Sequence, residues 1–423
     1  MVQAPPRAAL QRLTGLRHTS PGRLQLLLVT LLVLTALTGL VAGVTARAAD
    51  AGTADLRDRA QPLMLEAETV YSALADADTT AARAFITGGL EPAALTRRYE
   101  ADVERAAAAL TAAARRVPAD GRAADSIQRI STGLTRYTAL VASARALNRQ
   151  GKPVGAAYLS TASQLNRDTL QPHAHLLLQE ASREADDGYT AANASWWLML
   201  LLVLFVALAV ALVWTQIYLS RSTNRLFNVP LLAASGVAVL LMIGCVVVFG
   251  HQRGQLVAAD RDGSAPVEVL AEKRILVLRE RADEALTLAA RAGHGPLEEE
   301  FQQLSERVTF DDPELDDMPS LMREASDRHR EFLTLHQRVR ELDDGGDYDG
   351  AVELAVSDRM ALVFDQLTAT LDRAMDDRRA AFDSEIDSVG YGLGALTVLG
   401  PLLALVIGVL ATIGLRARLE EYR

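Results

Sequence analysis

One cysteine, Cys245, occurs in the 423 residues, so no disulfide can brace the chain internally and no cysteine-based metal site can be built. Lysine is nearly absent too. Lys152 and Lys273 stand against 41 arginines, and with alanine abundant this points to GC-rich coding rather than to a function. There is no G-x-S-x-G, no phosphate-binding glycine loop and no H-E-x-x-H, so nothing in the chain asks for a catalytic role, a cofactor or a metal. Segments of strand length with alternating apolar and polar residues are also missing, which leaves an all-α reading. Finally, Asp, Glu, Lys, Arg and His are all missing from four long apolar runs.

Those runs, 24–46, 196–219, 230–250 and 390–415, contain 23, 24, 21 and 26 residues. Crossing a hydrocarbon core takes about 20 residues of helix, so each is read as a transmembrane helix. The first ends in Ala46-Arg47-Ala48, which resembles a cleavage site, but it is longer than the 7–15-residue core of a signal peptide. Gly39 and Gly43 in it also form a small-xxx-small pair suited to close helix packing in lipid. A retained span is expected.

Basic residues give the orientation. The leader 1–23 has Arg7, Arg12, Arg17 and Arg23 and no acid, the connector 220–229 has Arg221 and Arg225 and no acid, and the tail 416–423 adds Arg416, Arg418 and Arg423 against Glu420 and Glu421. Short basic segments stay in the cytoplasm. Both termini and the connector are therefore expected inside the plasma membrane, with blocks 47–195 and 251–389 outside. Trp196, Trp197, Trp214 and Tyr218 mark the two ends of the second span, where amphipathic rings anchor at the interface.

The net charge of −10 is unevenly placed. The first block is near balance, with 17 basic and 18 acidic residues, whereas the second holds 17 basic and 33 acidic. Such a surface disfavours nucleic acid and anionic lipid as partners. Both blocks carry helical periodicity. In the first, Leu95, Tyr99, Val103, Ala107 and Leu110 form one stripe, and Ile127, Ile130, Leu134, Tyr137, Val141 and Ala144 another. In the second, Val356, Met360, Val363, Leu367 and Leu371 do the same. Breakers at Gly88-Gly89 to Pro92, Pro118–Gly121 and Gly151–Pro153 divide the first block into four helices, and those at 293–296, Pro313, Pro319 and Gly345-Gly346 repeat the scheme. The fold class expected is two extracytoplasmic four-helix-bundle-like domains from an internal duplication, held by four spans.

Candidate chemistry is sparse. His173 and His175 are two apart, so a helix points them to different faces. His329 and His336 share a face but flank the apolar stripe Ala325, Phe332, Val339, as buried bundle histidines do. Asp347-Tyr348-Asp349-Gly350 resembles a calcium loop, yet placing Gly350 sixth puts Gly345 first and Val356 twelfth, where Asp and Glu are needed. The acidic run Asp311, Asp312, Glu314, Asp316, Asp317 reads as a solvated turn. No convergent charged pocket is evident from the helix faces, so weak or no affinity for free amino acids is expected. The polar groups of the spans, among them Thr30, Thr35, Thr38, Ser235, Thr397 and Thr412, are all neutral, with Pro401 as a kink. Transport usually needs ionisable groups or broken helices at mid-membrane. A signal relay is favoured over an accessory or structural component of an envelope transport complex; homo-oligomerisation stays open.

The stretch Tyr71–Pro92 (YSALADADTTAARAFITGGLEP), followed by Arg97-Arg98-Tyr99-Glu100-Ala101-Asp102, resembles the actinobacterial GlnX membrane proteins, and the four-span layout agrees over nearly the whole chain. The resemblance implies two partners, an extracytoplasmic amino-acid-binding lipoprotein (GlnH) and a cytoplasmic serine/threonine kinase (protein kinase G), with glutamate or aspartate status passing between them. It supplies no ligand residues. The connector supplies the candidate contacts for the cytoplasmic partner: Arg221, Asn224, Arg225 and Phe227. The arginine pattern makes a direct prediction about topology. Reporter fusions after Ala192 and Asp387 should read as external and those after Asn224 and Arg423 as cytoplasmic; a cytoplasmic signal at Asp387 overturns the two-block layout.

Overall fold

The structure, a computed structural model, describes residues 20–87, 91–193, 195–223, 228–259, 261, 265–291, 293, 295–389 and 392–419. In chain order these form α1 (Ser20–Asp55), a π-helical turn (Leu56–Ala60), α2 (Gln61–Ile86), α3 (Ala93–Arg116) and α4 (Arg122–Arg149). Then come α5 (Val154–Leu165), a second π-helical turn (Asn166–Leu170), α6 (Gln171–Asn193), α7 (Ser195–Thr223) and α8 (Val229–Ala259). The rest is α9 (Ala265–Ala290), α10 (Pro296–Arg307), a short 3-10 turn (Pro313–Leu315), α11 (Pro319–Asp344), α12 (Tyr348–Ala355), α13 (Asp358–Val389) and α14 (Leu393–Leu419). No strand occurs among the described residues. Four helices are long and apolar enough to cross a membrane, so the all-α membrane class expected from the sequence is the one observed.

Helix ends fall where the punctuation places them. Gly151 and Gly346 adopt φ of 65° and 86°, left-handed conformations that cost a glycine little. Pro296 and Pro319 open α10 and α11, where a missing N–H is harmless. Asp347, which the sequence places in a failed calcium loop, caps α12 by accepting the Gly350 N–H at 3.0 Å. The stripe of α4 is buried from Ile130 to Ala144 with Ile127 packed beside it. Two stripe members depart from expectation. Ala107 faces solvent while Ala106, Ala109 and Ala113 turn inward, and Val356 is exposed in the break between α12 and α13.

The chain divides into two compact units. The first holds the spans. Here α1 and α14 meet at small residues: a Cβ on Gly39 would lie 2.5 Å from Ala404 Cβ, and one on Gly43 would lie 3.2 Å from Pro401 Cγ. In lipid, helices associate through such close backbone approach because there is no water to expel. The buried threonines Thr35, Thr38 and Thr45 each return their hydroxyl to the carbonyl four residues back, so none is left unpaired in the apolar medium. Gln216, which lies among apolar neighbours in the sequence, bonds Ser235 Oγ at 3.0 Å, and Asn228 Nδ2 bonds the Gly414 carbonyl at 2.9 Å.

The second unit combines Leu56–Asp187 with Val257–Glu385, so the two blocks expected as separate bundles build one body over a continuous core. At its centre α2 packs against α9, and nineteen of the 26 residues of each are buried. A helix enclosed on nearly every side is ordinarily apolar. These two are not, since α2 buries Glu68, Asp76 and Asp78 while α9 buries Lys273, Arg274, Glu280, Arg281, Asp283 and Glu284.

The close crossing in the membrane unit yields a prediction. Gly39→Ile should force α1 from α14 and lower stability by about 1–3 kcal/mol, whereas Gly236→Ala, with nothing within 4 Å of its new Cβ, should be neutral. Thermal melting of both variants in detergent checks this, and equal melting points would contradict the packing.

Candidate functional site

Four helices of the second unit, two from each block, turn polar stripes toward a common cavity of about 360 Å³. Glu68, Ser72 and Asp76 recur every four residues on α2, and Arg98, Asp102 and Arg105 follow at four and three on α3. Those spacings align side chains on one helix face. From the second block, α9 contributes Arg274, and α13 contributes Asp372, Met375 and Arg379. Thr69 and Ala101 complete the wall. This is the convergent charged pocket that the helix faces did not announce.

Ion pairs tie its walls together. Arg274 reaches Asp76 on α2 at 3.1 Å and Asp372 on α13 at 2.6 Å, so one guanidinium spans three helices. Arg105 bonds Asp102 at 2.9 Å and lies 3.5 Å from Asp76. Arg379 pairs with Glu68, and Thr80 Oγ1 donates to Asp102 at 3.3 Å. Burial alone disfavours the Arg274 cation, but Asp76 and Asp372 outweigh it and hold the group above its ordinary value. Burial, aided by the negative charge of Asp76 and opposed by Arg105, pushes Asp102 up to about 6. Burial also raises Glu68, against the pull of Arg379 and Arg274.

A second polar cluster occupies the core between α9, α10 and α11. His329 Nε2 bonds Glu280 at 2.9 Å, while His336 meets Glu284 through Nδ1 at 2.9 Å and Glu298 through Nε2 at 3.4 Å. The His336 ring stacks on Phe301 with centroids 3.6 Å apart. Burial opposes its charge, but the two carboxylates prevail and raise it to about 9, so it is a cation at neutral pH. Both histidines are thus core residues held by glutamates. Among the described residues no group of three or more metal-ligating side chains is found.

The other residues singled out from the sequence fall apart in space. His175 bonds Gln179 at 2.9 Å and does not join His173. Within the acidic run, Asp312 pairs with Lys273 and Asp317 with Arg378, so part of that turn is latched to the core rather than merely solvated. Arg221 closes α7 with an exposed side chain. Asn224, Arg225 and Phe227 lie outside the described residues, as do Gly88 and Gly89 of the motif that carried the resemblance.

Residues 52–190 match the family model of the actinobacterial sensor domain. This match, beside four helices long and apolar enough to cross a membrane, suggests a signal-sensing role for a multi-pass membrane protein. No curated protein matches the chain. The matched segment includes the α2 and α3 walls of the cavity and stops short of Arg274, Asp372 and Arg379, so the second block completes a site that the sensor segment begins.

Asp102 gives this site a pH signature. Its folded value lies above the ordinary 3.8, so the folded protein holds a proton there that the unfolded chain releases, and stability falls as pH rises from about 4 through about 6. A shift of that size corresponds to roughly 3 kcal/mol at most. Asp102→Asn should flatten this part of the profile, read as a smaller difference in melting temperature between pH 4.5 and pH 7 than in the parent. An unchanged difference would show that Asp102 does not titrate in the cavity.

Proposed function

We propose that the protein is a transmembrane signal relay without catalysis of its own, passing extracytoplasmic amino-acid status, read as glutamate or aspartate, from a binding lipoprotein to a cytoplasmic serine/threonine kinase. The sensor-domain match over residues 52–190 carries the reading. The resemblance of Tyr71–Pro92 and Arg97–Asp102 to the GlnX proteins supplies the partners. In this reading both termini and the connector are cytoplasmic and the duplicated blocks face outward, as the arginine distribution suggests.

A relay needs at least two arrangements whose balance an outside partner shifts. The polar unit suits that requirement. Its central helices come from different blocks, and they are joined by the buried ion pair of Asp76 with Arg274, whose strength depends on geometry. The transport alternative draws less support, because the spans hold no charged side chain and the polar contacts between them include only neutral groups such as Gln216 with Ser235 and Asn228 with Gly414.

Output is assigned to the connector, where Arg221 and Arg225 would pair with acidic groups of the kinase, Asn224 would hydrogen-bond and Phe227 would fill a shallow pocket. Arg221→Lys with Arg225→Lys keeps the charge that sets topology and removes bidentate geometry; Phe227→Ala leaves charge untouched. Both variants should insert normally and lose nutrient-dependent phosphorylation of the kinase's substrate, measured in membranes of cells shifted between amino-acid-rich and -poor medium. Variants that insert and signal like the parent would reduce the loop to an anchor.

A further inference from the structure

Hydrogen-bonding capacity in the four-helix cavity is unbalanced in one direction. Arg274 is 8% exposed; its Nε and Nη2 are taken by Asp372 and Asp76, but Nη1 has no acceptor. Arg379 uses Nη1 for Asp376 and Nη2 for Glu68, and its Nε likewise has no acceptor. No lining carboxylate has a buried oxygen left over among the described residues. Leaving a buried donor unpaired costs about 1–3 kcal/mol, more when the group is charged, so native proteins rarely tolerate one without a partner from outside the chain. Both arginine side chains line the cavity, and Arg379 pairs there with the buried Glu68 of the α2 wall. What the cavity lacks is an acceptor bearing negative charge.

Two further guanidinium groups stand ready at its rim. Arg98 and Arg105 have side chains 43% and 48% exposed, and their longer contacts, 3.4 Å to Asp365 and 3.5 Å to Asp76, are loose enough to exchange. Guanidinium forks match the planar, two-oxygen edge of a carboxylate or phosphate. The volume of about 360 Å³ lies at the small end of ligand pockets. The four wall carboxylates already offset the four arginines, which disfavours a heavily charged polyanion.

We propose that this cavity is a binding site for a small oxyanion-bearing metabolite, a carboxylate or a phosphate, seated against Arg274 and Arg379 and closed over by Arg98 and Arg105. The inference deepens the sensing role and rests on it only for the consequence of binding. With an oxyanion in place, Arg274 has less need of Asp76 or Asp372, so occupancy loosens the link between α2, α9 and α13. The ligand thereby acts on the contact that joins the two blocks.

The test is calorimetry on the full-length protein in nanodiscs, with succinate, inorganic phosphate and, as a cationic control, putrescine. One oxyanion per chain should bind at sub-millimolar concentration, and putrescine should not. Binding of succinate alone identifies the carboxylate source, of phosphate alone the phosphate source, and of both a shared oxyanion seat. Arg379→Gln and the rim variant Arg105→Gln should each weaken binding about tenfold or more while retaining cooperative melting. Arg105→Gln removes a half-exposed side chain, so it remains informative if the Arg379 variant, which leaves the buried Glu68 unpaired, fails to fold. No binding of either oxyanion, equal binding of putrescine, or affinities unchanged in folded variants would overturn the proposal. The measurement uses no lipoprotein and no kinase, so its failure leaves the relay standing, and normal signalling by the connector variants leaves the binding site standing.

Discussion

The burial of α2 against α9 is the constraint on which the rest of the polar unit depends. Each is a 26-residue helix enclosed on most of its surface, and each brings charge into the enclosure. An ionised group moved from water to a protein interior is stable only when paired and hydrogen-bonded. The neighbouring helices are arranged to meet that demand. From α13, Asp372 answers Arg274 and Arg379 answers Glu68; from α11, His329 and His336 answer Glu280 and Glu284. The link from Asp76 to Arg274 joins the two central helices directly, and Thr79 Oγ1, donating to the Leu278 carbonyl at 2.9 Å, joins them again about one helical turn further along.

Such pairs add little net stability over an apolar core of the same shape, but removing one partner alone costs about 3–5 kcal/mol, because a buried charge is then left uncompensated. The unit therefore favours one arrangement of its helices and penalises near misses sharply. That property suits a sensor more than a scaffold. The two π-helical turns, at Leu56–Ala60 and Asn166–Leu170, fit the same picture. Each inserts a residue into a helix and re-aims the side chains beyond it, and such bulges are frequent at functional positions.

Much of this architecture is legible in the sequence, for physical reasons. The spans announce themselves because an uncharged apolar run of about 20 residues matches the hydrocarbon thickness and would find no water-free surroundings of that length in a small soluble domain. Helix ends are marked by Gly151, Gly346, Pro296 and Pro319, whose backbone constraints are local. The apolar stripe of α4 is equally plain because one face of it meets solvent. What the sequence hides is the centre. Helix α9 lacks a clean amphipathic pattern since almost none of its surface meets solvent, and the charges of α2 and α9 read as surface when they are core. The cavity is hidden for the same reason: its stripes, Glu68-Ser72-Asp76 and Arg98-Asp102-Arg105, look like ordinary solvated helix faces until partners such as Arg274, 198 residues beyond Asp76, close over them. The i, i+4 repeat of polar residues beside buried alanines on α2 is the one local signal of an enclosed polar seam. Pairing of α1 with α14 is foreshadowed by Gly39 and Gly43, but nothing local names Ala404 and Pro401 as the surface they meet.

That last contact bears on how the chain is made. The earliest described span, α1, finds its tight neighbour in α14, the final described helix, and α2 is joined to α9 from the other block. A ribosome that has finished the first block has released a helix carrying Glu68 and Asp76 while Arg274 and Arg379 are still untranslated. Those carboxylates must remain hydrated or protonated until the second block emerges and docks. The first half is thus incomplete until its other half is made, since its buried carboxylates Glu68 and Asp76 meet Arg379 and Arg274 only there.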